Sequence, residues 1–173
     1  MILWSLARRT MQLQAVLPVI LLAIGATAEP PAHKGAVRDR VAVIVHKTNP
    51  VSDLSPAQLR KILLGEETRW PNNKRITILL PPGREERTTV LRILLRMTND
   101  DFVRHWISHV FQGEATSGPK TVSSPASILL LVAGVPAAVG FLDAADVPAA
   151  DAGIKVLRVA GKAITENGYP LRR

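Results

Sequence analysis

The amino-acid sequence predicts an α/β fold, in which a mixed sheet of about four or five strands carries helices on both faces. Residues 41–46 (VAVIVH) are almost wholly apolar and β-branched. A strand of this kind has no solvated face and is buried on both sides, as in a parallel sheet covered by helices. Apolar strands and helices with marked ends then alternate along the chain.

The first helix has clear start and stop signals. Asn49-Pro50 cannot continue a strand interior, so the chain turns there. Ser55 is suited to the N-cap, Pro56 to the first helical position, and Gly65 ends the helix. A loop between the carboxyl end of a buried strand and a helix N-terminus favours an anion, because free N–H groups and the helix dipole point into it.

The remaining elements follow from the same patterns. Strands are predicted at residues 75–80, 138–142 and 154–159, and helices at 84–97, 99–111 and 126–133. We expect the helix at 99–111 to be capped by Asn99 or Asp100 and to turn Phe102, Val103, Trp106, Ile107 and Val110 inwards. Ile128 to Val132 are apolar all round the helix, which predicts deep burial. The expected single core contains Val43, Val45, Leu59, Ile62, Ile78, Leu94, Trp106 and Leu130.

The amino-terminal segment has the order of a secretory signal peptide. Residues 1–28 contain Arg8 and Arg9, an apolar run at 15–24 and an A-x-A site at 26–28. The apolar run is too short for a comfortable membrane span, which needs about 20 residues. We therefore expect cleavage near Ala28 and a periplasmic or secreted protein that does not span the membrane.

The rest of the chain is expected to form one domain. Residues 29–40 are polar and proline-containing and are predicted to be a flexible lead-in, and residues 41–173 form the domain. The sequence has no cysteine, so disulfides cannot stabilise it. A net charge of +8 favours anionic ligands or surfaces. Few aromatics, scattered basic residues and the lack of a recognition motif argue against nucleic acid.

The sequence contains no recognisable catalytic set. It has no thiol, no G-x-S-x-G, no H-E-x-x-H and no Walker loop, and its paired carboxylates fall at loops or helix starts. His105 and His109 are four residues apart and could share a metal, but no third ligand is suitably spaced, so two surface histidines are the better interpretation. We expect no enzyme activity, no cofactor and no metal.

Three segments resemble periplasmic phosphate-binding proteins of phosphate ABC transporters. Residues 42–70 (AVIVHKTNPVSDLSPAQLRKILLGEETRW) resemble the strand, N-P-V-x-x-L-(S/T) loop, helix, glycine and tryptophan of that family. Residues 136–143 (PAAVGFLD) resemble its G-A-I-G-Y strand, and residues 166–172 (ENGYPLR) its G-x-Y-P-L-x-R stretch. The resemblance implies a periplasmic-binding-protein-like (PBP-like) fold without catalysis, with an ABC permease or another envelope protein as a partner.

Two departures from the family bear on the ligand. Members that trap phosphate have two lobes and about twice this length, so this chain would furnish a single lobe. Where the family has R-x-x-G-S-G-T-R, residues 80–88 read LPPGREERT, so the leading arginine and the serine are missing. Glu85 and Glu86 would in addition repel an anion.

The leading hypothesis is an exported binding protein for a small anion such as phosphate, which it would bind weakly. The alternative is a one-lobe interaction module without a small-molecule ligand, whose basic surface meets a membrane or a protein partner. If the strands are parallel, three groups of candidate ligand-binding residues lie at one edge of the sheet. These groups are Thr48, Asn49 and Ser52; Gly83, Arg84 and Thr88; and Ser123 and Ser124.

Overall fold

The computed structural model describes residues 39–149 and 152–173, so the predicted signal peptide and nearly all of the lead-in lie outside the described residues. The strands are β1 (Val41–His46), β2 (Asp53–Leu54), β3 (Thr77–Leu80), β4 (Lys120–Thr121), β5 (Ala138–Asp143), β6 (Ile154–Val156) and β7 (Arg158–Val159). The helices are α1 (Pro56–Leu64), α2 (Arg84–Val90), α3 (Asn99–Phe111) and α4 (Pro125–Gly134), with a π-helical turn at Leu91–Leu95 and a 3-10 turn at Ala144–Asp146. Among the described helices, none is both long enough and apolar enough to cross a membrane.

Five strands form one mixed sheet in the order β4-β3-β5-β1-β6. This confirms the predicted α/β class and strand number. Strand β3 is parallel to β4 and β5, whereas β1 is antiparallel to both β5 and β6. The predicted strand at 154–159 divides at Leu157, because β7 leaves the main sheet and pairs with β2 in a separate two-stranded sheet.

The direction of β1 corrects the expectation that its loop shares an edge with the other strand ends. Val41 pairs with Asp143 and Val45 with Val139, so β1 ends where β5 begins. The carboxyl ends of β3, β4 and β5 meet at one edge of the sheet, and the loop after β1 leaves from the opposite edge. Burial alone cannot reveal this direction, since a strand covered on both faces is equally apolar in either orientation.

Helix α1 forms as the sequence predicts. The Ser55 hydroxyl accepts from the Gln58 N–H, and the Gln58 side chain accepts from the Ser55 N–H, which completes a capping box. Gly65 ends the helix with a left-handed φ of 79°. A Cβ at Gly65 would also lie 2.9 Å from the Trp106 ring, so the turn and the packing both require glycine.

The sheet separates two apolar clusters instead of enclosing one core. The first contains α1, α2, the π-helical turn and α3 against one sheet face, and the second contains α4 against the other. Of the expected core residues, seven lie in the first cluster, but Leu130 is 75% exposed. Helix α4 buries Ile128 and Val132 against the sheet. Its outward face is apolar as well, so the prediction that it is deeply buried is wrong for Leu130.

The long helix predicted at residues 84–97 is interrupted. Helix α2 passes at Leu91 into the π-helical turn, which ends at Arg96 in the left-handed conformation. Helix α3 is capped by Thr98, not by Asn99 or Asp100, because Thr98 and Asp101 form a capping box.

Only one side of α3 is buried. Phe102 and Trp106 face the core, and the Trp106 indole donates to Leu63 O at 3.1 Å. Val103, Ile107 and Val110 are between 42% and 51% exposed, so the prediction that they face inwards is wrong. The apolar stripe of α3 is wider than the surface that the rest of the fold covers.

The irregular carboxyl-terminal segment is held against β1. The Tyr169 hydroxyl donates to Val41 O at 2.9 Å, and Leu171 O accepts from the Val41 N–H at 2.9 Å. Arg40, placed in the lead-in by sequence, is buried and donates through Nη1 to Ile164 O and to Glu166 O. Arg40 therefore belongs to the fold.

Candidate functional site

The structure divides the eight candidate residues among three places. Thr48, Asn49 and Ser52 lie in the loop after β1, at the edge opposite the carboxyl ends of β3, β4 and β5. Gly83 and Ser123 line a small cavity at the edge formed by those carboxyl ends, and Ser124 follows Ser123 as the N-cap of α4. Arg84 and Thr88 line a larger cavity formed by residues 82–100. No single anion can contact all three groups.

The loop after β1 uses several of its polar groups for its own conformation, while the buried Nδ2 of Asn49 has no hydrogen-bond partner among the described residues. Asn49 is buried, and its Oδ1 accepts from the Val51 N–H at 2.9 Å. Its backbone oxygen accepts from Lys155 Nζ at 2.6 Å. The Thr48 hydroxyl lies 2.8 Å from His46 Nδ1 and forms a local turn with it. The contact with Lys155 connects the loop to β6.

The edge at Gly83 is lined by carboxylates. A Cβ built on Gly83 would lie 1.6 Å from Glu86 Oε2, so the Glu86 carboxylate covers the start of α2. Arg173 lies 2.8 Å from Glu86 Oε1 and also pairs with Asp143. The cavity there, about 300 Å³, is lined by Gly83, Glu86 and Asp143 among others. A protein carboxylate thus occupies the position that an external anion would need.

Ser123 and Ser124 offer little to an anion at this edge. The Ser124 hydroxyl accepts from the Ser127 N–H at 3.1 Å and lies 2.8 Å from the Ser127 hydroxyl, which makes it the N-cap of α4. Ser123 is exposed and lines the carboxylate cavity. Capping, already visible in the Ser-Pro pattern, accounts for Ser124.

Three arginines line the larger cavity, which we call the arginine pocket. Arg84 and Arg87 come from α2, Arg92 from the π-helical turn, and the opposite wall is the start of α3. Its volume is about 660 Å³. Asp100 is the single carboxylate among the described lining residues, so the formal charge around the cavity is positive. Thr88, Thr98 and Asn99 add polar groups to its wall.

The guanidinium groups of this pocket are largely without partners in the fold. Within residues 39–149 and 152–173, neither the Arg84 nor the Arg92 side chain makes a hydrogen bond or an ion pair. Arg87 donates through Nη2 to Pro81 O at 3.0 Å, while its buried Nε has no hydrogen-bond partner. Guanidinium donors in a fixed planar arrangement match the oxygens of phosphate and carboxylate groups.

Sequence reasoning missed Arg87 and Arg92 as site residues. For Arg92 the reason is local, because a 3.6-residue period predicts one continuous helix and the π-helical turn changes the register of the residues within it. The Leu95 carbonyl of this turn is satisfied from outside the helix by Arg60 Nη1 at 3.2 Å. Arg87 lies in the regular helix α2, where the helical period holds. The available signal was the density of arginines between residues 84 and 96, which the sequence analysis did not use.

The histidine pair of α3 takes part in packing. His105 Nε2 hydrogen-bonds to Leu64 O at 2.9 Å, and His109 Nδ1 lies 3.1 Å from Glu114. Their rings are 4.4 Å apart, and both side chains are half-buried rather than fully on the surface. Over the described ranges, no group of three potential metal ligands is brought together.

Comparison with protein families identifies the class of domain. Residues 22–168 match the family model described as the PBP superfamily domain. The chain belongs to this family. The PBP-like fold expected from the resemblance is therefore confirmed. A comparison with curated proteins finds no match.

Solved structures with the same fold include phosphate transport proteins. A protein from Clostridium perfringens, described as a phosphate ABC transporter substrate-binding protein and crystallised with phosphate, is 23% identical with a TM-score of 0.56. An ABC-type phosphate transport receptor from Vibrio cholerae is 20% identical with a TM-score of 0.60. PstS from Borrelia burgdorferi is 15% identical with a TM-score of 0.59. At these identities the likeness shows the fold.

The matches extend over most of this PBP-domain chain but only part of the others. They cover 73%, 77% and 78% of the present chain and 47%, 53% and 55% of those three proteins, respectively. The chain thus spans about half the length of these structural relatives. The first two are named as a substrate-binding protein and a transport receptor.

Proposed function

We propose that this PBP-domain protein binds a small anion such as phosphate, weakly, and does so in the arginine pocket. The observation that carries the proposal is the pair of unpartnered guanidinium groups, Arg84 and Arg92, beside a cavity with one lining carboxylate among the described residues. Charge-assisted hydrogen bonds from arginine to phosphate are among the stronger polar contacts that a protein can make. No catalytic role is included in the proposal.

The other two predicted anion positions are less suited to this role. In the β1 loop, Asn49 uses its side-chain oxygen for the local turn, and at the Gly83 edge Glu86 covers the helix start. Of the predicted ligand-binding residues, the proposal therefore retains Arg84 and Thr88 and adds Arg87 and Arg92.

Weak affinity follows from the openness of the pocket. Arg84, Arg92 and Thr88 are exposed, so a bound anion keeps part of its water shell and the contacts act in a high dielectric. Each charge-assisted hydrogen bond then contributes near the lower end of about 1.5 to 3 kcal/mol. We expect a dissociation constant of about 0.1 mM or poorer for the isolated protein.

The proposal includes export and an envelope partner. The segment at residues 1–28 has the order of a signal peptide, so the mature protein should begin at Glu29 in the periplasm or outside the cell. An ABC permease or another envelope protein would then be accessible to it. Amino-terminal sequencing of the exported protein tests this part directly, and a retained Met1 would contradict it.

Isothermal titration of the mature protein with phosphate, and separately with sulfate, tests the anion site. Arg84→Ala or Arg92→Ala should each weaken phosphate binding by about tenfold, since each removes one charge-assisted contact. Raising the salt concentration should weaken binding further, because exposed charges are screened. Lys74→Gln is the matched control, since it removes a positive charge from an exposed side chain outside the pocket.

Two results of the phosphate titration would overturn the proposal, and a third comes from the control variant. One is phosphate binding that neither arginine substitution changes, which would place the anion elsewhere. The other is submicromolar binding by a demonstrated monomer, because an open single-lobe pocket cannot exclude water from the anion. An equal loss with Lys74→Gln would show a general effect of net charge rather than a site.

A further inference from the structure

The outer face of α3 presents an apolar stripe to solvent. Val103, Ile107 and Val110 are half-exposed and Phe111 is 87% exposed. Their spacing of four, three and one residues places them along one side of the helix. A contiguous exposed apolar stripe of this kind marks an interaction surface more often than isolated exposed side chains do.

This stripe forms one wall of a groove that runs into the arginine pocket. The groove has a volume of about 380 Å³, and Leu80, Gly118 and Pro119 contribute to its other wall. Arg87 and Asn99 line both the groove and the arginine pocket, so the two cavities share a boundary at the start of α3. An apolar trough therefore ends at a cluster of guanidinium groups.

We infer that the groove and the arginine pocket together bind an amphipathic segment of a partner protein. Its apolar side chains, at helical spacing, would pack on Ile107 and its neighbours, and carboxylates at one end would meet Arg84 and Arg92. This inference rests on the proposed function, because the acidic group of the segment occupies the same anion pocket. In the partner complex, a carboxylate of the segment would take the place of free phosphate in the arginine pocket.

Charge and shape favour an acidic amphipathic segment over a second copy of this chain or an anionic membrane. The sequence carries a net charge of +8, so a second copy would bring a surface of the same sign to the three arginines. An anionic membrane would supply the charge, but its surface is flat, whereas Leu80 and Pro119 make this site concave. A concave apolar surface is filled by side chains that project from a backbone.

The test uses synthetic peptides and the mature protein in fluorescence anisotropy. Each labelled peptide has about 15 residues, or roughly four helical turns, with leucine and phenylalanine at helical spacing. Three versions carry Glu, Gln or Lys at one end, and a fourth has the Glu version in scrambled order. We expect the Glu peptide to bind about tenfold more tightly than the Gln peptide, and the Lys and scrambled peptides to bind more weakly still.

Substitutions then assign the binding to the groove. Ile107→Ser should weaken the Glu peptide by about tenfold and leave phosphate binding unchanged, because it removes apolar contact area but no charge. Leu130→Ser is the matched control, since Leu130 is an exposed leucine on α4 and on the other side of the sheet. Arg84→Ala should weaken both the Glu peptide and phosphate, and phosphate should compete with the Glu peptide.

The outcomes separate this inference from the proposed anion site. Phosphate binding that depends on Arg84, without binding of any peptide, would overturn the groove inference alone. Peptide binding that neither Arg84→Ala nor added phosphate changes would overturn the inference that the acidic end of the segment binds in the arginine pocket. Equal effects of Ile107→Ser and Leu130→Ser would also overturn the inference. So would binding to vesicles with anionic lipid at an affinity above that of the Glu peptide.

Discussion

The inner and outer sides of helices α2 and α3 differ in where their side chains find partners. On the inner side, Trp106 donates to Leu63 O and Glu86 pairs with Arg173. On the outer side, Arg84 has no partner among the described residues and Ile107 is half-exposed. Side chains that have hydrogen-bond, ion-pair or packing partners within the fold contribute to its stability. Side chains without such partners are available to a ligand.

The comparison also shows why residue type alone does not locate an anion site. Gly83 begins a helix, where free N–H groups favour an anion, yet the Glu86 carboxylate lies over it. Arg173 is a strong cation, but Glu86 and Asp143 neutralise it. Arg84 belongs to the same helix as Glu86 but has no carboxylate partner among the described residues. The inner side of α2 therefore carries paired charges, and its outer side carries an unpaired one.

The largest expected effect separates the two faces of α3. Trp106→Ala should lower the free energy of unfolding by about 3 to 5 kcal/mol, because it leaves a cavity in the core and an unsatisfied carbonyl at Leu63. Ile107→Ala on the outer face should change it by less than about 0.5 kcal/mol, apart from a small gain in helix propensity. Denaturant unfolding of both variants measures the difference. Comparable losses would show that the outer face is covered in the folded protein.

A smaller effect is expected where the carboxyl-terminal segment contacts β1. Tyr169→Phe should cost about 1 to 2 kcal/mol, because it keeps the ring but removes the hydrogen bond to the buried Val41 carbonyl. Burial raises the pKa of Tyr169 above its ordinary value near 10. The unfolded chain loses the phenol proton first, so the stability of the protein is unaffected below about pH 10 and falls as the pH rises above it.

Tyrosinate absorbance checks this pH dependence without interference, since Tyr169 is the only tyrosine in the sequence. We expect the absorbance to rise together with unfolding, and the alkaline loss of stability to be reduced in Tyr169→Phe. Titration of the folded protein with a midpoint near the ordinary tyrosine pKa would show that the phenol is accessible to water.

The smallest effect tests the carboxylate edge. The Glu86 side chain is 18% exposed and pairs with Arg173, so Glu86→Gln should cost about 0.5 to 1 kcal/mol, and less at high salt. Glu85→Gln is the matched control, because the Glu85 carboxylate is 83% exposed and lies 3.8 Å from the same arginine. A loss no greater than that of Glu85→Gln would mean that Glu86 is not neutralised inside the fold.

The parts of the fold that depend on local chemistry were predictable from the sequence. The β1 strand and helix α1 were placed correctly, because apolar runs, capping residues and a left-handed glycine act over a few residues. The direction of β1 depends on partners far away in sequence and leaves no local trace. The exposure of Leu130 was missed for the same reason, since an apolar helix does not reveal that only one side of it is covered.

The candidate site was predictable only in part. Arg84 and Thr88 were named from the sequence and line the arginine pocket, where binding itself is still a proposal. Arg92 was not named, because the π-helical turn alters the helical period on which sequence-based prediction relies. Arg87 lies in the regular helix α2 beside Arg84 and Thr88, and it was not named because only the start of that helix was considered. The sequence predicted that Glu86 would repel an anion near Gly83. It could not predict that the Glu86 carboxylate pairs with Arg173, which is 87 residues away in sequence.

The position of β1 within the sheet also determines the order in which the domain can be completed. β1 is synthesised first but lies between β5 and β6, and Val41 receives a hydrogen bond from Tyr169, 128 residues later. Folding must close this long loop before β1 has a neighbouring strand in the sheet, and topologies rich in such distant pairings fold slowly. A growing chain therefore carries VAVIVH as an unpaired, aggregation-prone strand until its last quarter has emerged.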